Sequence, residues 1–137
     1  MEIKGKSIDK IEVGDEISAS KVVPMDEGIR YAEASGDWNP LHLDDDFAQM
    51  AGYKGKITHG LYQMAFCATL FTDWVGDPGR LKRLECRFSG PLYPGETITI
   101  KAMVNKREED VLSFDYEAEN QDGVKTITKG EAEISLK

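Results

Sequence analysis

The most apolar segment of the chain is LYQMAFCATLFTDWV, residues 61–75. Apolar residues occupy nearly every position of this segment instead of a single stripe, which is typical of a helix buried on all sides. Fifteen residues of α-helix form a rod about 22 Å long. The glycines and proline at positions 76–79 would end the helix. We therefore predict one long central helix.

After residue 80 the hydrophobic pattern changes to a period of two, as expected for strands with one buried face. Turn-forming residues separate the alternating runs at 89–95, 106–110 and 120–123. With a further strand expected near residues 15–23, the pattern predicts about five antiparallel strands curled around the helix, an α+β fold. The residues expected to face the core are Leu84, Cys86, Phe88, Ile98, Ile100, Ala102, Val104, Leu112, Phe114, Tyr116, Ala118, Ala132, Ile134 and Leu136.

Two short helices are expected before the central one. Asp26 could cap a helix over residues 27–34. The acidic triplet Asp44–Asp46 could start the second, because carboxylates suit a helix N-terminus. The triplet lacks the glycine and the distal glutamate of a calcium loop, so capping is the preferred interpretation. The predicted inward face of this second helix comprises Phe47, Met50 and Ala51.

The composition is that of one ordinary globular domain, covering residues 1–137. A net charge of −8 argues against a nucleic-acid surface, because phosphates favour Lys and Arg. The charged start MEIKGK and the absence of an 18-residue apolar run predict no signal peptide, no membrane helix and a cytoplasmic location. Cys67 and Cys86 lack metal-binding spacing and are expected to be buried thiols. We expect no metal and no cofactor.

Chemistry is expected in YAEASGDWNPLH, residues 31–42. This segment places Asp37 and His42 five residues apart, where Asn39 favours a turn and Pro40 keeps Asn39 out of the α region. An aspartate and a histidine held close together can donate and accept protons at neutral pH. Alone, the pair is more simply interpreted as an Asx turn or cap and a structural histidine.

The segment resembles the signature of the MaoC-like family, which includes the R-specific enoyl-CoA hydratases: an aromatic and a small residue, then Gly-Asp-x-Asn-Pro-aliphatic-His. Residues 57–61, ITHGL, are similar to the start of that family's central helix. Residues 87–97, RFSGPLYPGET, are similar to its strand–turn–strand segment. The resemblance implies the hot-dog fold, an antiparallel sheet wrapped around one long helix, which is usually dimeric.

The resemblance also implies an activity, the reversible addition of water to a trans-2-enoyl thioester of coenzyme A or acyl carrier protein. Asp37 and His42 would position and deprotonate the water, and His42 would carry the α-proton. The backbone N–H of Gly60, at a helix N-terminus, would stabilise the enolate oxygen. Asn39 is interpreted as the residue that shapes the loop or as a substrate-orienting residue, and His59 as a turn or supporting residue.

Substrate binding is predicted for aromatic residues that could line an acyl tunnel or simply belong to the core: Tyr31, Trp38 and Tyr62, with Tyr53 and Met64 as further candidates. The densest basic cluster could bind the phosphates of the carrier, or could be a solvated strand face, and we select Arg80 and Arg83 from it. A homodimer or an oligomer of dimers is expected, because a single curled sheet leaves exposed edges.

Two other functions compete with hydration. Hot-dog thioesterases commonly place an acidic residue on the central helix, whereas this helix offers Gln63 early and no carboxylate before Asp73. A non-catalytic acyl-CoA-binding subunit is the second competitor, although Asp37 and His42 are both present. Fold alone does not separate these functions.

Overall fold

In a computed structural model, which describes residues 1–137, the chain forms three α-helices and one five-stranded antiparallel sheet. The helices are α1 (Glu27–Ser35), α2 (Asp45–Met50) and α3 (Gly60–Val75). The strands are β1 (Glu16–Val22), β2 (Leu81–Phe88), β3 (Thr97–Glu108), β4 (Val111–Glu119) and β5 (Lys125–Ser135).

The strand order is β1-β3-β4-β5-β2, so β1 and β2 form the two edges of the sheet. Ile100 on β3 lies opposite Ala118 on β4, and Leu112 on β4 lies opposite Ile134 on β5. All four side chains are buried. The period-two pattern therefore identified the strands and the face that they turn to the core, except at Phe88. This residue was predicted to face the core but is 48% exposed, at the end of the edge strand β2 beyond an irregularity in its pairing with β5.

The sheet wraps around α3. Phe66, Cys67, Leu70 and Phe71 of the helix are buried in one cluster with the inward side chains of the strands. The ring centroid of Phe71 lies 5.2 Å from that of Phe114. This arrangement confirms the predicted hot-dog fold.

One face of α3 is open, which corrects the prediction of a helix buried on all sides. Leu61, Ala65, Thr69 and Asp73 recur every fourth residue and are exposed, Leu61 by 57%. The sheet curves around only the opposite side of the helix. With 16 residues, α3 is the longest helix, and none of the helices is both long and apolar enough to cross a membrane.

The two short helices form where predicted, but their details differ. Asp44 caps α2, since its carboxylate accepts the N–H groups of Asp46 and Phe47. Asp26 precedes α1 without a side-chain capping bond. The predicted inward face of α2 is wrong: Phe47, Met50 and Ala51 are exposed, Met50 by 88%, and Ala48 is the residue that α2 buries. This six-residue helix lies on the surface and presents only one position to the core.

Both cysteines are free thiols. Cys67 is fully buried in α3, and burial raises the pKa of its thiol well above the ordinary value. Cys86 is half-buried on the edge strand β2. Burial was predicted for both and is complete only for Cys67.

Candidate active site

The loop between α1 and α2 is held by a chain of side-chain-to-backbone hydrogen bonds. Ser35 Oγ accepts the N–H of Asp37 at 3.1 Å, and Asp37 Oδ1 accepts the N–H of Asn39 at 3.1 Å. Asn39 Oδ1 then accepts the N–H of Leu41 at 3.0 Å and caps the 3-10 turn Pro40–His42. Asn39 is therefore the turn-forming residue that the sequence indicated.

The segment before α3 binds this loop. The carbonyl of Leu41 accepts the N–H of Ile57 at 3.0 Å. His42 Nδ1 lies 2.9 Å from the carbonyl oxygen of Ile57, so Nδ1 donates to that oxygen and Nε2 is the ring nitrogen left for other contacts. Gly28 of α1 packs against the carbonyl of His42, where a β-carbon would overlap the oxygen. Three contacts thus fix the predicted base.

The structure brings Asp37 and His42 together, with His59 as a third member. One carboxylate oxygen of Asp37 and one ring nitrogen of each histidine lie within 4.8 Å of one another. The side chain of Asp37 is 48% exposed, so its carboxylate is accessible to water and substrate. The rings of His42 and His59 stack with their centroids 3.8 Å apart.

Sequence reasoning missed the buried partner of His59. Glu27, the first residue of α1, is 1% exposed, and its Oε1 lies 2.9 Å from His59 Nδ1. His59 Nε2 lies 3.1 Å from the carbonyl oxygen of Asp37. The one available signal for Glu27 was its position one helical turn before Tyr31, at the start of the signature.

The start of α3 supplies the second half of the site. The backbone N–H of Gly60 donates to no acceptor within the protein, as expected at the first position of a helix. His42 and Gly60 line the same cavity of about 430 Å³, together with Tyr53, Phe88 and residues of both adjoining segments. A ligand in this cavity can contact the base and the helix N-terminus at once.

Two buried polar groups line the same cavity without a hydrogen-bond partner. They are Thr58 Oγ1 and Gln63 Oε1, and both residues are 3% exposed. Buried polar atoms normally have partners. These two groups are therefore free to bind polar atoms of a ligand.

Of the predicted aromatic tunnel residues, Tyr53 lines this cavity, whereas Tyr31, Trp38 and Tyr62 do not. The ring centroid of Tyr31 lies 4.7 Å from that of His59 and 6.2 Å from that of Tyr62. Tyr62 lines two neighbouring cavities beside Lys21, and Trp38 is exposed. Substrate binding by Tyr31, Trp38 and Tyr62 stays a prediction.

The predicted phosphate-binding arginines are engaged elsewhere. Arg80 Nε donates to the carbonyl of Ser135 at 2.8 Å. The guanidinium of Arg83 lies 2.7 Å from a carboxylate oxygen of Glu85, and 3.8 Å and 3.7 Å from those of Glu131 and Glu133. Neither arginine lines the cavity of His42 and Gly60, so these contacts give the prediction no support. Lys56, by contrast, lines a second cavity of about 270 Å³ together with His42.

Asp37, His42 and His59 include the donor types of a small metal site. Both ring nitrogens of His59 already contact oxygen atoms of the protein, and so does Nδ1 of His42. A metal ion bound to His59 would have to displace Glu27 or the Asp37 carbonyl. These contacts favour proton transfer over metal binding as the role of the three side chains.

Comparison with known proteins gives consistent matches. The chain is 34% identical over 129 residues to the probable enoyl-CoA hydratase 2 of Dictyostelium discoideum, covering 93% of this chain and 42% of that protein. It is 47% identical over 68 residues to the peroxisomal multifunctional enzyme type 2 of Mus musculus, covering 47% of this chain and 9% of that protein. The chain thus spans less than half the length of either curated relative.

Solved structures match along nearly the whole chain. The (R)-hydratase from A. caviae involved in PHA biosynthesis superposes with a TM-score of 0.83 at 27% identity, covering 93% of this chain and 98% of that one. The model of the MaoC like domain matches residues 10–127, which include Asp37, His42 and Gly60. The chain therefore belongs to the MaoC-like domain family.

Proposed function

We propose that the protein is an (R)-specific enoyl-CoA hydratase, equally a 3-hydroxyacyl-thioester dehydratase, which adds water reversibly to a trans-2-enoyl thioester. One observation carries the proposal: Asp37 and His42 converge, and His42 shares a cavity with the free N–H of Gly60. The names of the Dictyostelium relative and of the A. caviae structure support it.

The proposed reaction begins with a water molecule held between Asp37 and His42. Asp37 Oδ1 is occupied by the N–H of Asn39, so Oδ2 and Nε2 of His42 are the atoms that would hold the water. His42 takes one proton as the water oxygen bonds to Cβ of the enoyl group. The electron pair of the double bond moves towards the thioester carbonyl, and His42 then returns the proton to Cα.

The charge that develops on the thioester oxygen needs a donor. The N–H of Gly60 and the dipole of α3 meet that need, and such a donor contributes about 3 kcal/mol of transition-state stabilisation. A glycine allows the carbonyl to approach the main chain closely. Coenzyme A and acyl carrier protein are both possible carriers of the acyl group.

The assembly proposed is a homodimer in the cytoplasm. The open face of α3 and the unpaired edge of β2 are the surfaces that support it, since both are exposed in one chain. Sedimentation equilibrium at micromolar concentrations tests the assembly. A monomer would contradict it.

The activity is tested with Asp37→Asn and His42→Ala on trans-2-enoyl-CoA substrates of different chain lengths. Each variant should stay folded and lose about 10²–10⁴-fold in kcat, because each removes one group that handles the water or its protons. Asp46→Asn, an exposed aspartate on α2, is the matched control and should keep full activity. A folded Asp37 or His42 variant with near-native hydration would refute the assignment.

Product analysis separates hydration from its competitors. The expected product is the (R)-3-hydroxyacyl thioester, identified by chiral chromatography. Release of free thiol would indicate a thioesterase, although α3 presents buried Gln63 in its first turn and its aspartate, Asp73, is exposed. Substrate binding without turnover would indicate a binding subunit, and S product would also reject the proposal.

A further inference from the structure

The pair Glu27–His59 is buried beneath the proposed site and has no part in the reaction described above. Each side chain is 1% exposed, and the ring nitrogen Nδ1 lies 2.9 Å from the carboxylate oxygen Oε1. The same oxygen lies 3.3 Å from the backbone nitrogen of His59 and accepts its N–H. Burying an ionisable pair is costly and must be offset by good geometry and further hydrogen bonds. Oε1 of Glu27 makes such bonds, and its Oε2 is buried without a partner. The hydrogen bonds of His59 therefore indicate the protonation state and the role of the pair.

The hydrogen-bond partners of His59 determine its protonation. Both ring nitrogens face oxygen atoms, Nδ1 the carboxylate of Glu27 and Nε2 the carbonyl of Asp37 at 3.1 Å. A carbonyl oxygen can only accept, so Nε2 carries a proton. Glu27 Oε1 already accepts the backbone N–H, and Nδ1 adds a second donor to it. A neutral imidazole could meet the same distances if Glu27 Oε1 carried a proton and donated it to Nδ1. The hydroxyl oxygen of a neutral carboxyl is a poor acceptor, so the backbone N–H on Oε1 favours a carboxylate there, and with it an imidazolium.

A cationic His59 would orient Asp37. Its Nε2–H holds the main-chain carbonyl of Asp37, and Nε2 lies 3.9 Å from the carboxylate oxygen Oδ2. A positive charge at that distance favours the ionised carboxylate. Both the position and the charge of Asp37 then depend on the buried pair.

The same cation would keep His42 neutral. The two imidazole rings stack at 3.8 Å with an interplanar angle of 26°. Two stacked cations would repel each other strongly at this separation. The titratable groups that face His59 are Glu27 and Tyr31 from α1, and Asp37 and His42 from the loop. Because Glu27 is buried against His59, its carboxylate neutralises the positive charge of His59.

We propose that Glu27 and His59 form a buried carboxylate–imidazolium pair that positions Asp37 and holds His42 in its neutral, proton-accepting form. Both are positioning residues, since each side chain is only 1% exposed and acts through Asp37 and His42. This inference deepens the proposed hydratase function and rests on it. The protonation of His59 can nevertheless be measured without any turnover.

The first test is spectroscopic. The chain has two histidines, so a long-range ¹H–¹⁵N spectrum of the uniformly labelled protein shows both rings, and His42→Ala assigns them. At neutral pH we expect two protonated nitrogens on His59 and one on His42. A singly protonated His59 would overturn the proposal. A protein without hydratase activity would refute the proposed function, and the spectrum would still decide the state of His59.

The second test uses Glu27→Gln, which keeps the shape of the side chain and removes its charge. Since the neutral amide no longer stabilises the imidazolium, protonation of His42 becomes easier, and the acid limb of the kcat/KM profile should move to higher pH. At neutral pH kcat should fall about 100-fold, because a small misplacement of the groups at the site can cost this much. KM should change little. Glu33→Gln, an exposed glutamate on the same helix, is the matched control. An unchanged acid limb in folded Glu27→Gln would overturn the proposal.

Discussion

His42 Nδ1 and the carbonyl oxygen of Ile57 lie 2.9 Å apart, so the proposed base is fixed by the segment that leads into α3. Gly60, the proposed oxyanion donor, begins that helix three residues later. The two halves of the site are therefore joined through Ile57. A change at either half is expected to affect the geometry of the other.

Gly60→Ala should fold normally and lose about 100-fold in kcat/KM. A β-carbon at this position would lie 3.3 Å from the ring of Phe88, which is half-exposed and can move aside. The methyl group would still hold the thioester away from the backbone N–H, and misplacement by about 1 Å can cost 10²-fold. Steady-state kinetics and a thermal melt measure the two effects separately.

Gly79→Ala is the control for that experiment, since its β-carbon would also lie 3.3 Å from a side-chain atom, Asp77 Oδ1, but far along the chain from the cavity. It should keep full activity. Equal loss of activity in both variants would argue against a special role for the N–H of Gly60.

Gly28→Ala should destabilise the protein by about 1–3 kcal/mol, because the new methyl group overlaps the carbonyl of His42 and forces the loop to shift. In an exposed helix the same substitution would stabilise by about 0.5–1 kcal/mol. A loss of stability in Gly28→Ala would therefore indicate that this position packs against the carbonyl of His42. Urea denaturation measures it, with Glu33→Ala on the exposed side of α1 as the control. A stabilised Gly28→Ala protein would contradict the packing described here.

Glu131→Gln should raise the melting temperature at neutral pH. Glu131 and Glu85 lie opposite each other on β5 and β2, and the hydrogen bond and charge of Glu85 raise the pKa of Glu131 above 4.5. A carboxyl with a raised pKa in the folded state stabilises at low pH, and this stability is lost as the pH rises through the raised pKa.

The advantage of Glu131→Gln should therefore disappear below about pH 4.5, where the natural residue is protonated as well. Melting temperatures of both proteins across a pH series measure this difference. Glu133→Gln is the comparison, since Glu133 is on the same strand but lies opposite Arg83 and not Glu85. An advantage that stays constant down to low pH would exclude the Glu85 contact as its cause.

Thr126→Val should stabilise the protein by about 1 kcal/mol. The hydroxyl of Thr126 is fully buried and has no hydrogen-bond partner, and removing an unsatisfied polar group recovers its desolvation cost. Thr99→Val is the contrast, because the hydroxyl of Thr99 lies 2.7 Å from Ser20 Oγ. The free energy of unfolding in urea should rise for the first variant only.

Local rules predicted the strands and the central helix because each element repeats its own pattern. The alternation of buried and exposed residues from Ile98 to Val104 and from Leu112 to Ala118 can be recognised without knowing which strand lies beside them. Gly76, with φ of 79°, ends α3 where its sequence position indicated. The loop at Asn39 is equally local, since its bonds span only a few residues.

The buried pair and the arginine contacts could not be predicted in this way. Glu27 and His59 are 32 residues apart and meet only because α1 packs beside the start of α3. Arg83 meets Glu131 and Glu133 because β2 pairs with β5, a strand far along the chain. Contacts of this kind depend on tertiary structure, which no local period reveals.

The two carboxylate oxygens of Asp37 have different roles. Oδ1 maintains the turn by accepting the N–H of Asn39, and Oδ2 is the oxygen that we propose holds the water. Replacing Asp37 with alanine would remove both roles together. Activity lost through the disrupted turn could then be misattributed to the loss of a catalytic group. Asparagine keeps an oxygen for the turn and removes only the charge, so it is the substitution that isolates the chemical step.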